Sequence, residues 1–337
     1  MVSIKDVAAR CQVSVSTVSK ALNDHKDVSE AKKIYIRQIA KEMGYSPNSS
    51  ARSLKTNRSR NIGVLFMDQS QSGLTHEFFA QVLDSFKRGI ESKGYDMTFI
   101  LNHSDDYSGM SYLEHSRFRG FDGIIIACVD FSNPEVCELM RSSIPVVTID
   151  YIFNGTSTIL SDNVNGMKSL VQYAVDMGHR KIAYIYGEQS LVTSGRINGY
   201  YITLEENGIE PREEYVRQAH FRNIADAERI TEELLALPEP PTCILYPDDV
   251  ACIGGINYLR DKGYKVPEDI SVAGYDGITF ASRISPHLTT IVQDTKKIGA
   301  LAAEKLINLI EKPKTTLMEQ IMVATTLCEG QTIAQRK

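Results

Sequence analysis

No stretch of the 337-residue chain reaches the ~18 consecutive apolar residues of a membrane span. The opening residues, MVSIKDVAARC, alternate charge with small apolar side chains and lack the apolar core of a signal peptide. Both absences lead to the expectation of a cytoplasmic protein. The six cysteines (Cys11, Cys128, Cys137, Cys243, Cys252 and Cys328) form no C-x-x-C pair and no Cys/His grouping at zinc spacing. Reduced, mostly buried thiols suit that scatter better than a disulfide framework. Motifs of catalysis are missing too. There is no G-x-S-x-G, no P-loop, no H-E-x-x-H, and no G-x-G-x-x-G after the first strand. His76-Glu77 runs into Phe78-Phe79, which breaks a zincin pattern. No enzymatic activity, cofactor or metal is therefore expected. An exported sugar-binding protein also fits poorly, because it would carry a signal peptide and no basic head.

What is present divides by charge. The chain is 42% hydrophobic with a net charge of −5, and its length allows two or three domains. Residues 1–60 hold twelve Lys/Arg against five Asp/Glu, a net +7, which leaves −12 for the remainder. A small basic head on an acidic body points to one nucleic-acid-binding unit attached to something that is not one.

In the head, 4–10 reads as a short helix with Ile4, Val7 and Ala8 on one face. After a break at 11–13, Ser14 is placed to cap a second helix from Val15 to Leu22. Val18, Ala21 and Leu22 form its inner side; Ser16, Thr17, Ser19 and Lys20 lie largely on the other. Ser29 then precedes a third helix to about Met43, with Ile34, Ile36, Ile39 and Ala40 as its apolar residues and Gly44 beyond its end. Two short helices across a tight turn, with a third in support, is the helix-turn-helix arrangement, whose second helix fits the major groove. A plain three-helix bundle with solvated lysines would share the pattern.

The individual motifs narrow this. Ile4-Lys5-Asp6-Val7-Ala8, Val13-Ser14, Thr17-Val18-Ser19-Lys20, Leu22-Asn23, Val28-Ser29, Gly44-Tyr45-Ser46-Pro47-Asn48 and Ala51-Arg52-Ser53-Leu54 resemble the signature of the lactose-repressor (LacI/GalR) family. One departure is Gln12, where that family usually has glycine. The turn wants φ > 0 there, so a side chain brings some strain. Carried over by position, the resemblance places Val15, Ser16 and Lys20 at base edges: Val15 against a thymine methyl, Lys20 toward guanine O6/N7 or a phosphate. Thr17 and Ser19 share that DNA-facing helix. Ile4, Ser14, Ser29 and Lys32 fall at backbone-positioning sites. Asn48, Ala51 and Leu54 fall in a hinge helix that, in the family, forms when two copies meet on DNA, with the leucine wedged into the minor groove. Read without the resemblance, 47–60 is a short basic linker, too short for a stable isolated helix.

From residue 61 on, β-rich runs at 61–66, 97–101, 123–127, 146–149, 181–186, 243–246, 270–274 and 289–292 alternate with amphipathic helices. That alternation implies parallel sheets covered on both faces, and its length implies two lobes with a cleft between. Ligands in such sheets sit beyond the carboxyl ends of the strands. Polar residues collect there: Asp68-Gln69-Ser70, Asp150, Asp162-Asn163, Glu188 to Arg196, Asp248-Asp249 and Asp276. With Phe78, Phe79 and Phe221 they describe a site for a polyol. Each alone suits a cap or a turn equally well. The same family resemblance, through Arg196-x-x-Gly199, Ser271-Val272-x-Gly274-Tyr275-Asp276 and Pro286-x-Leu288-Thr289-Thr290-Ile291, implies that Arg196 and Asp276 hold effector. Phe78, Phe79, Asp162, Phe221 and Asp248 match more weakly. Pro247-Asp248 departs from the family's Asn-Asp.

The expected architecture is α/β: a three-helix helix-turn-helix head at 1–46, a hinge and linker at 47–60, and a two-lobed periplasmic-binding-protein-like effector and dimerisation domain at 61–337. The resemblance puts one lobe at 61–161 plus 293–321 and the other at 162–290 plus 322–337. With no leucine heptad beyond residue 334, a homodimer is expected on a near-palindromic double-stranded DNA operator. The expected function is a transcription regulator, a repressor of carbohydrate utilisation genes, under allosteric control by a sugar or sugar derivative. A purine-like base or a phosphocarrier protein corepressor is the alternative.

Overall fold

The computed structural model describes residues 2–46, 58–67, 73–100 and 109–336. The chain forms two compact units, 1–60 and 61–337.

Among its described residues the first unit holds three helices, α1 (Ile4–Cys11), α2 (Val15–Leu22) and α3 (Glu30–Glu42). Ser3 and Asp6 close a capping box on α1, with Asp6 accepting from the Ser3 amide at 2.8 Å. Gln12 ends α1 in the left-handed region (φ 53, ψ 44), the conformation its turn was expected to require. Ser14 caps α2 by accepting from the Thr17 amide at 3.1 Å. Val7, Ala8, Cys11, Val18, Ala21, Val28, Ile36 and Ala40 make the core. The third helix differs from its expected face. Ile34 is 62% exposed, while Lys33 is 3% exposed and bridges Asp24 (3.1 Å) and Glu30 (2.7 Å). The buried stripe runs Lys33, Ile36, Ala40, at i, i+3, i+7. Residue 34 lies about 100° further round the helix, whatever its hydrophobicity. Ser29 holds the N-cap position of α3 in extended backbone, without a side-chain cap bond.

The second unit contains twelve described strands: β1 (Asn61–Phe66), β2 (Asp96–Phe99), β3 (Gly123–Ala127), β4 (Val146–Ile149), β5 (Ser157–Ser161), β6 (Ile182–Tyr186), β7 (Val216–Gln218), β8 (Cys243–Leu245), β9 (Ser271–Asp276), β10 (Thr290–Gln293), β11 (Gln320–Val323) and β12 (Thr325–Cys328). They form two six-stranded sheets, ordered β11-β5-β4-β3-β1-β2 and β12-β10-β9-β8-β6-β7. The first is parallel throughout. The second is parallel except for β12, which runs against β10. Its helices are α4 (Glu77–Glu91), α5 (Tyr112–Arg119), α6 (Pro134–Met140), α7 (Asn163–Asp176), α8 (Leu191–Glu206), α9 (Ile224–Leu235), α10 (Asp249–Asp261) and α11 (Thr295–Glu311). None of the described helices is long and apolar enough to cross a membrane. All six cysteines are free; Cys11, Cys243 and Cys252 are buried and Cys328 is exposed.

The chain crosses between sheets three times: after β5, after β10 and after β11. The second crossover therefore follows residue 293 and the third follows 323, a few residues beyond the expected 290 and 321. Asp162 and Asp294 cap the helices that leave the first two crossovers, with nearly equal backbone angles (φ −76, ψ 75 and φ −77, ψ 74). The two lobes thus repeat one local design. On the first sheet α4 and α11 pack side by side with their apolar faces inward, Phe86 and Ile90 on one and Ile298 and Leu306 on the other. Glycines permit the close approach. A Cβ at Gly89 would stand 2.5 Å from that of Ala303, and one at Gly299 would stand 2.3 Å from the Val82 carbonyl oxygen.

Candidate functional site

Two regions collect the candidate residues. On the head, α2 turns Val15 (40% exposed) and Ser16 outward, with Lys20 one turn on from Ser16 on the same face. The Ser14 and Thr17 hydroxyls lie 2.8 Å apart, so Ser14 spends its oxygen on the helix end. The Ser19 carbonyl accepts from Asn23 Nδ2 at 2.7 Å. Lys20 is paired with Asp27 of the following loop, and that ammonium holds the Asp27 carboxyl below the usual carboxylate range. Ile4 is half-buried against the head core, while Ser29 and Lys32 are exposed. Asn48, Ala51 and Leu54 lie outside the described residues, as do Asp68, Gln69 and Ser70.

The second region lies at the carboxyl ends of the strands of the 61–337 unit, around Arg196. This side chain leaves α8 and is 3% exposed. Its Nε donates to Asn163 Oδ1 at 2.8 Å, and Nη1 donates to the Pro247 carbonyl at 2.7 Å. The guanidinium lies over the Tyr275 ring, 3.5 Å from its centroid, and 5.9 Å from that of Phe221. Nη2 stands 3.7 Å from Asp276 Oδ1, close enough for attraction and too far for a hydrogen bond. Asp276 closes β9 at φ 106, a strained angle for a non-glycine residue. It accepts from Gln293 Nε2 at 2.8 Å.

The electrostatics of this centre are governed by burial. Desolvation, offset by Arg196, lifts the Asp276 carboxyl to about 7. Burial lifts Asp150 to about 6 against the opposing Ser161 amide and Arg196. Asp249 is held well above the ordinary range by burial and then by Asp276; the Thr290 hydroxyl (2.6 Å) and the Ile278 amide (2.8 Å) donate to it. One guanidinium therefore faces several carboxyls that resist ionisation. Such a set presents both donors and acceptors to hydroxyl groups.

The remaining expected residues sort by what they touch. Phe221 joins the centre through Arg196, and its ring lies against Gly187, where a Cβ would come within 2.4 Å of it. Asp248 is 2% exposed and commits both oxygens to backbone, taking the Ala251 amide (2.9 Å) at the start of α10 and the Arg222 amide (2.7 Å). It thereby fixes the loop that carries Phe221. Asp162 caps α7 by accepting from the Asn165 amide at 3.1 Å. Its neighbour Asn163 is the one that reaches Arg196. Phe78 is buried in the core beneath the first sheet, and Phe79 packs on Phe66 and His76. Gln293, the Tyr275 ring and the Pro247 carbonyl carry more of the centre than their place in the sequence suggests. Gln293 closes a strand, the same signal that marks Asp276. A backbone carbonyl leaves no residue-type signal at all.

Residues 3–48 match the model of the bacterial regulatory proteins of the lacI family, and residues 171–333 match that of the periplasmic binding protein-like domain. The chain is similar to the probable HTH-type transcriptional repressor ExuR of Bacillus subtilis (strain 168), 33% identical over 94% of this chain and 93% of that protein. It is also similar to the HTH-type transcriptional repressor PurR of Pectobacterium carotovorum subsp. carotovorum (strain PC1), 32% identical over 99% and 97%. Among solved structures, a transcriptional regulator CelR–cellobiose complex is 25% identical with a TM-score of 0.71, covering 98% of this chain and 100% of that one. The lac repressor dimer bound to operator and the anti-inducer ONPF is 24% identical with a TM-score of 0.83, covering 99% of each chain.

Proposed function

Since the chain belongs to the LacI family of bacterial regulatory proteins, we propose that it represses carbohydrate-utilisation genes and that a sugar-like effector sets its affinity for operator DNA. The division of labour is a DNA-reading head at 1–46, a hinge and linker at 47–60, and an effector-binding and dimerisation body at 61–337. Two copies place their α2 helices in successive major grooves of a near-palindrome. Val15, Ser16 and Lys20 face bases, Thr17 and Ser19 belong to the same DNA-binding helix, and Ile4, Ser14, Ser29 and Lys32 set the register on the backbone. Asn48, Ala51 and Leu54 act at the hinge.

The observation that carries the effector half is the Arg196–Asp276 centre. A guanidinium with a long 3.7 Å approach to a strand-end carboxyl, beside the Phe221 ring, suits vicinal hydroxyls bridging donor and acceptor while a ring face stacks. The CelR relative is described with cellobiose, which agrees with a sugar. Phe221 and Arg196 contact the effector in this reading, Asp248 and Asp162 hold their loops, and Phe78 and Phe79 back the same edge of lobe 1.

Coupling follows from where Asp276 sits. Glu77 of α4 accepts from the Thr279 amide at 2.7 Å, joining lobe 1 to the loop three residues past Asp276. Gln81, one turn along α4, accepts from the Thr295 hydroxyl at 2.9 Å, just after the second crossover. An effector that engages Asp276 pulls on a segment both lobes already hold, and a two-state lobe arrangement is biased by whatever it binds differently.

The test is thermal unfolding of the full chain with sugars, sugar acids, sugar phosphates and nucleobases, alongside Phe221→Ala. A ligand at ~100 times its dissociation constant stabilises the body by about 2.7 kcal/mol. A sugar response weakened in Phe221→Ala supports the reading, because that substitution leaves the hydrogen bonds of Arg196 to Asn163 and Pro247 in place. A nucleobase response keeps the architecture and replaces the regulated genes. A sugar response untouched by Phe221→Ala moves the site elsewhere.

A further inference from the structure

The Lys20–Asp27 pair poses a question of its own. Residues 1–60 carry a net +7, and their five acids, all in the head, have separate employments. Asp6 closes the α1 capping box; Asp24 takes Lys33 and Arg37; Glu30 takes Lys33; Glu42 takes Gln38. Asp27 is the one paired to α2, and to the single cation of that helix. Both partners are about half exposed, at 45% and 53%. An exposed pair of this kind contributes little to stability, so the fold does not need it. It also sits on the face shared by Ser16 and Lys20. A carboxylate there comes within a Debye length of phosphates when α2 approaches DNA, which is unfavourable for a basic head.

We propose that Asp27 is a specificity-determining residue that keeps Lys20 off the phosphates, so that Lys20 adds affinity only where base-edge acceptors replace the carboxylate. The inference rests on the reading of α2 as the DNA-facing helix. Exchanging one monoanion for another gains Lys20 nothing, and it leaves Asp27 unpaired facing a polyanion. Two convergent acceptors, as on the major-groove edge of guanine, offer what a single phosphate oxygen does not. Asp27 therefore lowers binding to arbitrary DNA more than binding to the operator. Discrimination is a difference of affinities, and weakening the wrong complex raises it.

The experiment uses the full chain and a random-sequence duplex, so no operator has to be known. Binding is followed by fluorescence anisotropy across a salt series for the wild type, Asp27→Asn, Lys20→Ala and the double variant. Freed from Asp27, Lys20 makes one more phosphate contact. Asp27→Asn then steepens log K against log salt by about 0.9 and tightens random-duplex binding roughly eight-fold at 0.1 M relative to 1 M salt. Lys20→Ala alone leaves the slope unchanged, and the double variant returns to the wild-type slope. An Asp27→Asn slope equal to the wild type overturns the proposal. So does an increment that persists without Lys20, which would make Asp27 act alone, or a slope already reduced by Lys20→Ala. Absence of any salt-dependent binding by the wild type would instead overturn the reading of the head itself.

Discussion

Replacing Arg196 with alanine is expected to destabilise the body and to make the loss grow with pH. The guanidinium donates to Asn163 at 2.8 Å and to the Pro247 carbonyl at 2.7 Å, and both acceptors would be left in a buried site. Each stranded acceptor costs about 1–3 kcal/mol. The cation over Tyr275, 3.5 Å from the ring centroid, is worth about 2 kcal/mol when desolvated. A loss of about 6 kcal/mol is the central figure on these terms. The pH dependence comes from the carboxyls Arg196 steadies. Asp276 titrates at about 7 in the folded protein against 3.8 in the reference state. A carboxyl with a raised folded value binds protons more tightly folded than unfolded. Its effect on stability is absent below about pH 4, grows more unfavourable as pH rises to about 7, and then levels, at about 1.4 kcal/mol per pH unit. Without Arg196 that carboxyl rises further, and the decline continues past pH 7, where the wild type has levelled. Urea midpoints of the two proteins at pH 6, 7 and 8 measure this. A deficit that stays constant, or shrinks, between pH 7 and 8 would refute the account of Arg196 as the charge that holds Asp276 down.

Three further outcomes follow from local geometry. His179 is buried between the Thr242 hydroxyl (2.9 Å) and the Ala334 carbonyl (3.1 Å), and desolvation pushes it down to about 4. The folded protein keeps this ring neutral while the unfolded chain binds a proton below about 6.5, so its contribution is intact above that value and is lost as pH falls toward 4. Hydrogen exchange over 325–336 should speed up between pH 7 and pH 5 after correction for the intrinsic rate, and His179→Gln should remove the difference. Gly299→Ala should lower the thermal midpoint, because overpacking against the Val82 carbonyl at about 1–3 kcal/mol exceeds the ~1 kcal/mol helix-propensity gain. Gly195→Ala, whose Cβ meets nothing closer than 3.3 Å, should be neutral or mildly stabilising; equal effects at the two sites would discredit the helix-crossing argument. Gln12→Gly should stabilise the head by about 0.5–1 kcal/mol, the relief of left-handed strain less the entropy glycine loses, read as slower exchange at the α1 and α2 amides.

Where side-chain chemistry and backbone periodicity agree, the sequence is readable. Ser14 followed by Val15, Val18 and Leu22 announces both the cap and the inner face of α2, and the φ of Gln12 follows from the turn alone. The apolar runs at Gly123–Ala127 and Val146–Ile149 are central strands in every residue. Reading weakens where burial and polarity part company. The strand Ser157–Ser161 is buried throughout although three of its five residues carry hydroxyls, because Thr158 can spend its hydroxyl on the Thr148 carbonyl at 3.2 Å. Lys33 and Ile34 trade places for the same reason: helix phase, rather than residue type, decides which side chain is covered. Around Arg196, carboxylates after strands mark the neighbourhood without dividing its roles. Asp276 and Asp248 carry the same signal, yet one faces Arg196 while the other serves two backbone amides. That difference is made largely by Arg196, 80 positions from Asp276, and Arg222, 26 positions from Asp248, which no local pattern contains.

The return of the chain to the first sheet sets an order on synthesis. The face of α4 bearing Phe86 and Ile90 is covered by α11, and the edge of β5 is completed by β11. Both arrive only after the second sheet has been made. A ribosome therefore holds lobe 1 with an apolar face open for more than a hundred residues of elongation, a nascent state in need of protection from aggregation. A transcript cut short anywhere between Asn163 and Thr295 would yield a head with its three helices complete and a body that cannot close its first core. Such a fragment would still carry the complete head, and its removal would fall to proteolysis of the open lobe.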